Sequence, residues 1–171
     1  QHGDVLRVGG HAFKLKRLDA LERHYHEAVL AQTTVDALTG VSNRATVLGF
    51  LEKQTDLAKR HHRELSVILC DLDEFKAVND QHGHATGDLV LQLFGVLLLG
   101  RLRGIDHVGR IGDEEFLIIL PETPGSEALN VAEDLRAALA AEPVNPPDGG
   151  PPFHVTCSLG VVQCQDTDAN G

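Results

Sequence analysis

The chain has 171 residues, of which 42% are hydrophobic, and a formal net charge of −10 at pH 7. Its apolar content suffices for one domain with a hydrophobic core, which excludes a wholly disordered chain. We expect no nucleic-acid surface, because that requires a basic stripe, and no membrane segment, because the apolar stretches fall short of roughly 20 residues.

The first 35 residues are predicted to precede the main domain. Residues 1–15 alternate between apolar and polar positions around two Gly-containing turns, which predicts two short strands. They resemble the end of an FHA domain and would then be the remnant of an upstream domain, although an unrelated edge hairpin fits nearly as well. Residues 16–35 show helical spacing and predict a linker helix, which would serve as a dimer stalk or pack on the domain that follows.

The main domain is predicted to span residues 36–171 and to open with a turn and a helix. Ser42 or Asn43 can cap this helix, which should end near Arg63. The β-branched apolar run "ELSVILCDLD" follows, and it predicts a buried strand that ends in Asp71 and Asp73. Carboxylates in this position lie at the edge of a sheet, where ligands bind in α/β folds.

The rest of the domain alternates helices and strands. A short helix from Asp73 to Asn79 and an apolar helix from Gly87 to Leu102 flank a break at Gly83-His84. The segment "HVGRIGDEEFLIIL" predicts a β-hairpin, and a helix, a Pro- and Gly-rich loop and the strand "FHVTCSLGVVQC" follow. This order predicts an α/β (α+β) fold in which a mixed central sheet with a hairpin is flanked by helices.

The cysteines and the start of the chain indicate a cellular setting. Cys70 and Cys157 lie in apolar runs, where we expect small buried thiols, and no CxxC spacing suggests a metal site. The chain is polar from Gln1 onward, so no signal peptide is expected. These features fit a reducing, cytoplasmic environment.

Two acidic groups are candidates for chemistry. Asp71 and Asp73 end the first long strand, and the run 113–115 forms the hairpin tip. Neighbouring strands of a sheet could place the two groups side by side, where the carboxylates would repel each other without a cation. Hard oxygen ligands suit Mg²⁺, which could assist phosphoryl transfer. The alternative is a solvated acidic turn.

Three segments carry a resemblance to a known family. They are "DALTGVSNR", "CDLDEFKAVNDQHGHATGD" and "RIGDEEFLIILPET". Their order and spacing over about residues 36–163 are similar to those of the GGDEF domain of the diguanylate cyclase family. The resemblance implies a fold like that of nucleotidyl cyclases and polymerase palms, and an activity that condenses two GTP to cyclic di-GMP and pyrophosphate.

The resemblance also implies a metal site and a catalytic group. Asp71 and Glu114 would bind Mg²⁺ or Mn²⁺ through their carboxylates, and Leu72 through its carbonyl. Glu115 would help to activate the 3′-hydroxyl of GTP or bind metal. Partners implied in the same way are GTP, cyclic di-GMP and a second copy of the chain, since the family works as a homodimer.

The implied nucleotide contacts lie on the two helices after the strand. Asn79 and Asp88 would hydrogen-bond guanine, because a carboxylate can accept from N1–H and N2–H while an amide both donates and accepts. The backbone N–H groups of Phe75 and Lys76 would hold the phosphates at a helix start. Helix capping is the alternative role of Asn79 and Asp88.

Arg103 and Asp106 match an inhibitory site of the family. Their offset from the hairpin is that of the RxxD motif, at which cyclic di-GMP would bind. Arg103 could hold a phosphate or stack on guanine, and Asp106 could accept from the guanine edge. A plain surface ion pair is the alternative.

The chain departs from the family pattern at the signature hairpin, from Gly112 to Phe116. Asp113 stands where the family has a second glycine. Glycine there would permit a left-handed turn and a close approach of substrate to the backbone. Aspartate tolerates such a turn but adds bulk and negative charge near the phosphates.

A second departure lies at the C-terminal end, where the sequence lacks the helix and strand that close the family's domain and carry basic contacts to the terminal phosphates. Two functions therefore fit the sequence. The first is an active diguanylate cyclase. The second is a catalytically degenerate GGDEF domain that binds cyclic di-GMP or GTP and passes on a signal.

Overall fold

The computed structural model describes residues 5–8, 11–14 and 34–164, and the chain divides into two compact units, residues 1–33 and 34–171. In the first unit, β1 (Val5–Val8) pairs antiparallel with β2 (His11–Lys14), which confirms the two predicted strands. The predicted linker helix falls mostly on residues that are not described. Val35 pairs with Ser42 in an antiparallel bridge, so the chain is extended there and not helical.

The second unit contains the helices and strands that the sequence predicts, in the predicted order. They are α1 (Arg44–His61), β3 (Leu65–Leu72), α2 (Phe75–His82), α3 (His84–Arg101), β4 (His107–Arg110), β5 (Glu115–Pro121), α4 (Gly125–Ala141) and β6 (Cys157–Gln163). The bounds differ from the prediction by up to four residues: α2 is shifted from Asp73–Asn79 to Phe75–His82, and β6 begins at Cys157, four residues after Phe153. Helix α3 begins at His84, three residues before the predicted start. The apolar pattern does not reach into this polar first turn.

Local chemistry explains where two of these helices begin and end. Asn43 caps α1, because its side chain accepts a hydrogen bond of 2.9 Å from the Thr46 N–H. Gly83 separates α2 from α3 with a φ of 80°, a left-handed value that a glycine adopts without steric cost. The predicted cap and the predicted break are thus confirmed.

The four strands of the second unit form one sheet in the order β4-β5-β3-β6. Its three ladders are antiparallel, and an isolated bridge between Ser42 and Gly109 supplies the parallel pairing among the described residues. The α/β class with flanking helices and a hairpin is confirmed. The four strands pair with each other in antiparallel fashion, so the sheet is mixed only through the bridge between Ser42 and Gly109.

The two faces of the sheet are covered unequally. On one face Ile68, Cys70 and Phe116 belong to a core that includes residues of α3 and α4, with Phe94 edge-on to Phe116 at 5.0 Å between ring centroids. On the other face Val47 of α1 packs in a smaller cluster, together with Leu65, Leu117 and Ile119. That cover is partial, since Leu69 is 46% exposed and Val162 is 66% exposed.

Cys70 and Cys157 are buried, as predicted, and all three cysteines are free thiols. A hydrogen bond with the Cys157 thiol, together with burial, raises the pKa of Cys70 above its ordinary value. These thiols therefore serve as small core side chains. Among the described residues, none of the helices has both the length and the apolar character needed to cross a bilayer.

Candidate active site

The end of β3 and the tip of the β4–β5 hairpin meet at one edge of the sheet. Asp71 is the register partner of Glu115, and the Leu72 N–H donates to the Glu114 carbonyl at 3.3 Å. The predicted adjacency of the two acidic groups is thereby confirmed at the level of backbone pairing. The Asp71 and Glu115 side chains are exposed and that of Glu114 is half-buried, so all are open to a ligand.

The donor atoms at this edge suit a hard divalent cation. Within the described part of the chain, no group of three or more His, Cys, Asp or Glu side chains is arranged to hold a metal ion. An ion at this edge would therefore have few protein ligands. Asp71 and Glu114 offer two carboxylates, and the Leu72 carbonyl is a third oxygen on the same strand end. Mg²⁺ needs few protein ligands, because it retains waters and binds substrate phosphates. The residues present fit such an ion.

Asp73 has a different role from the one that its acidity suggests. Its two carboxylate oxygens accept hydrogen bonds of 2.6 Å from the hydroxyls of Thr156 and Ser158, and its N–H donates to the Thr156 carbonyl at 2.9 Å. The hypothesis that Asp73 belongs to a cation-binding group is not supported by this geometry. Asp73 instead fastens the exit of β3 to the start of β6, beside a cleft of about 730 Å³ that Asp71 also lines.

We predict that Asp73→Ala lowers the free energy of unfolding by about 1–2 kcal/mol, because two hydrogen bonds to a charged group are lost. Asp73→Asn should cost less, since its amide oxygen still accepts from one hydroxyl. Asp80→Ala, an exposed position on α2, is the control. Urea titrations of the variants measure the effect. Equal midpoints for Asp73→Ala and Asp80→Ala would contradict the fastening role.

Two arginines hold the backbone of the hairpin tip. Arg110 donates through Nε to the Gly112 carbonyl at 3.1 Å and through Nη2 to the Asp113 carbonyl at 2.8 Å. Arg44 donates to the Ile111 carbonyl from the first turn of α1. The sequence does not predict these contacts, because every residue has a backbone carbonyl and the residue types do not show which of them accepts a hydrogen bond. These hydrogen bonds hold the backbone of the hairpin tip in place.

Arg110 also ties the tip to the turn that precedes α1. Its Nη1 lies 3.4 Å from Asp36 Oδ1, and the same oxygen accepts from the N–H and hydroxyl of Thr39 at 2.9 and 2.6 Å. Burial raises the pKa of Asp36, but the hydrogen bonds from Thr39 and the charge of Arg110 outweigh it and hold the pKa below its ordinary value. Asp36 therefore stays ionised at neutral pH.

The altered signature residue is accommodated without backbone strain. Among the described residues the non-glycine positions with positive φ are His62, Glu74 and Glu122, so Asp113 does not need the conformational freedom of glycine. Its side chain is exposed. At Gly112 an added Cβ would lie 2.2 Å from Glu115 Oε2 and 3.2 Å from Glu115 Cβ, so a side chain there would displace the Glu115 carboxylate.

The predicted nucleotide residues lie around the junction of α2 and α3. Asn79 is half-buried on α2, and Asp88 is exposed in the first turns of α3. Phe75 is buried and Lys76 exposed at the start of α2. No side chain caps that start at Glu74, which leaves its first backbone N–H groups to solvent or a ligand.

Arg103 and Asp106 are paired with each other. The Arg103 guanidinium contacts both Asp106 oxygens, at 2.8 to 3.2 Å, and the Thr123 hydroxyl at 2.6 Å. The hydrogen bond with Asp106 is the main reason that the pKa of Arg103 lies above its ordinary value. The Asp106 side chain is only 3% exposed, while that of Arg103 is 50% exposed. The two residues thus form an ion pair in which only the Arg103 guanidinium is accessible.

Carboxylates from the end of a strand and from a hairpin meet at one edge of the sheet. Enzymes that transfer nucleotidyl groups use carboxylates arranged in this way to hold divalent cations. The family model described as "Diguanylate cyclase, GGDEF domain" matches residues 33–170. The chain belongs to the GGDEF domain family.

Individual relatives agree with this assignment. The chain is 37% identical over 152 residues to the diguanylate cyclase DgcP of Pseudomonas aeruginosa, covering 88% of this chain and 22% of DgcP. It is 38% identical over 136 residues to the response regulator PleD of Caulobacter vibrioides, covering 80% of this chain and 30% of PleD. The chain thus spans less than a third of the length of either relative.

Solved structures show the same fold. The GGDEF domain of DgcB from Caulobacter crescentus, in complex with c-di-GMP, superposes with a TM-score of 0.76 and covers 90% of this chain and 83% of that chain. Its sequence identity is 23%, so this likeness concerns the fold alone.

Proposed function

We propose that this chain is the GTP-condensing domain of a diguanylate cyclase, which makes cyclic di-GMP and pyrophosphate from two GTP. The observation that carries the proposal is the pairing of Asp71 with Glu115, with Glu114 beside Leu72, at one edge of the sheet. Membership of the GGDEF family and the similarity to DgcP support it. The setting proposed for this activity is the cytoplasm, where GTP is available.

GTP would bind across the junction of α2 and α3. Asp88 accepts hydrogen bonds from N1–H and N2–H of guanine, and the Asn79 carboxamide supplies a donor and an acceptor beside it. The N–H groups of Phe75 and Lys76, at the uncapped start of α2, bind the phosphates. This arrangement selects guanine because adenine offers no N1–H to Asp88.

The proposed divalent cation is Mg²⁺ or Mn²⁺, held by the carboxylates of Asp71 and Glu114 and the carbonyl of Leu72. When bound, such an ion neutralises phosphate charge and lowers the pKa of a nearby hydroxyl. Glu115 lies opposite Asp71 on the neighbouring strand, where its exposed carboxylate can accept the proton of the ribose 3′-hydroxyl.

The bond changes require two nucleotides facing each other. The 3′-oxygen of one GTP forms a bond to the α-phosphorus of the other, the bond from that phosphorus to the β-phosphate oxygen breaks, and pyrophosphate leaves. The same exchange in the opposite direction closes the ring. Since one set of guanine contacts holds one GTP, we propose that two copies of the domain meet as a homodimer.

The protein at its full native length, incubated with GTP and Mg²⁺, is expected to yield cyclic di-GMP, identified by chromatography and mass spectrometry. A parallel incubation with ATP should give no cyclic dinucleotide, and a chelator should stop the reaction with GTP. Absence of product under conditions in which GTP binds would contradict the enzymatic proposal.

A second candidate function is favoured by Asp113. A carboxylate at the exposed tip of the hairpin repels the phosphates of GTP at the point where the family has glycine. A domain whose catalysis is weakened in this way would bind cyclic di-GMP or GTP and pass the signal to other proteins. Cyclic di-GMP would engage the half-exposed Arg103 after its guanidinium has separated from Asp106.

On this second proposal, Arg103→Ala should weaken the binding of cyclic di-GMP by at least about tenfold, because charge-assisted hydrogen bonds to phosphate are lost. Isothermal titration calorimetry measures the affinity. Arg136→Ala is a matched control, since the Arg136 side chain is about as exposed as that of Arg103 and also pairs with an acid three residues away, Glu133. Equal affinities of native protein and Arg103→Ala would rule out this inhibitory site.

A further inference from the structure

Gly87 lies in the first turn of α3, against the side chain of Asn79 on α2. A Cβ added to Gly87 would lie 2.0 Å from Asn79 Oδ1 and 3.0 Å from Asn79 Cγ, far inside van der Waals contact. The Asn79 carboxamide therefore occupies the space that a side chain at residue 87 would fill. No other residue type leaves this space empty.

We propose that Gly87 is a positioning residue for guanine recognition, because its bare backbone forms the slot that orients the Asn79 carboxamide next to Asp88. The inference rests on the proposed binding of GTP. The junction between the helices fixes this slot, since the Gly83 N–H donates to the Asn79 carbonyl at 2.9 Å and the Gly87 N–H donates to the Gly83 carbonyl at 3.2 Å.

The steric clash would be relieved mainly by movement of the Asn79 carboxamide, because its atoms lie closest to the added Cβ. Asn79 is half-buried and its amide terminates a flexible side chain, so it can rotate away from an added methyl group. The remaining close neighbour is Phe75 Cζ, at 3.3 Å from the added Cβ, which a small shift accommodates. Alanine also favours a helix more than glycine does. Gly87→Ala should therefore fold normally while Asn79 is displaced.

Specificity is the property that should change. Displacing the Asn79 carboxamide removes one contact to the guanine ring but leaves the Asp88 contact and those to phosphate intact. We expect Gly87→Ala to weaken the affinity for GTP about tenfold, which corresponds to about 1.4 kcal/mol, and to leave the weaker affinity for ATP unchanged. A general packing defect would reduce both affinities together.

The test measures dissociation constants for GTP and ATP with Mg²⁺ in Gly87→Ala, Gly100→Ala and Asn79→Ala, alone and in combination. Gly100 is a helical glycine of α3 with no atom within 4 Å of an added Cβ, so its variant should match the native protein. Adding Gly87→Ala to Asn79→Ala should cost nothing more. An equal loss for both nucleotides, unchanged GTP affinity, or a full loss in the Asn79→Ala background would overturn the proposal.

A second measurement does not depend on nucleotide binding. In a ¹⁵N–¹H spectrum of the ligand-free protein, the side-chain NH₂ pair assigned to Asn79 by its loss in Asn79→Ala should shift in Gly87→Ala and not in Gly100→Ala. An unshifted pair would overturn the positioning role. Failure of the native protein to bind GTP would instead refute the proposed function and leave this spectrum to decide on Gly87.

Discussion

Replacing Glu114 by glutamine is expected to slow the formation of cyclic di-GMP by about two to three orders of magnitude. Glu114 provides one of the two carboxylates proposed to hold the cation, beside the end of β3, and the change removes its charge while conserving its shape. Negative charge develops on the transferring phosphoryl group, so the loss of an anchor for the neutralising cation acts on the rate of the chemical step.

Initial rates with saturating GTP and Mg²⁺ measure this effect. Glu52→Gln, an exposed position on α1 far along the chain from the hairpin, is the matched control and should turn over as the native protein does. The free energy of unfolding of Glu114→Gln should stay close to the native value, because the side chain is only half-buried. A Glu114→Gln variant with native turnover would contradict the assignment of this carboxylate.

Asp113→Gly is expected to raise the rate of cyclic di-GMP formation by about tenfold or more. Two like charges about 4 Å apart repel by roughly 4 kcal/mol at an effective dielectric constant of 20, and exposure of the Asp113 side chain reduces this penalty. Since φ at Asp113 is not positive, the backbone of the tip should be conserved in the variant. The gain would come from removing bulk and charge in front of the phosphates.

Asp113→Asn separates these two contributions. It retains the bulk and removes the charge, so its rate should lie between those of the native protein and Asp113→Gly. Comparison of kcat/KM for GTP at low and high ionic strength isolates the electrostatic share, which salt screens. A decrease in rate on Asp113→Gly would show that Asp113 contributes to the site and does not obstruct it.

The sequence predicted the fold well because its signals are local. The apolar run before Asp71 predicted a buried strand, and the Gly-Asp pair predicted the hairpin turn that sets Glu115 opposite Asp71. Asn43 carried its own capping signal. These features depend on neighbours a few residues away, which a single sequence displays directly.

The remaining features depend on partners that are distant along the chain. The residue type of Asp73 predicts a cation ligand, but its partners Thr156 and Ser158 follow more than 80 residues later. The ion pair between Arg110 and Asp36 likewise joins residues that lie 74 positions apart. Gly87 was visible only as part of a motif, since the space that it leaves for Asn79 requires the packing of two helices.

The central claim is that two GTP are condensed at the sheet edge formed by Asp71, Glu114 and Glu115. Its most direct test follows GTP, pyrophosphate and cyclic di-GMP together in one reaction of the full-length protein with Mg²⁺, by ³¹P NMR and chromatography. We predict two pyrophosphates for each cyclic di-GMP, and no more than about 1% of the native amount of either product in Glu114→Gln over the same period. GTP that binds at the domain but is recovered unchanged, or is hydrolysed without cyclic di-GMP, would contradict the claim.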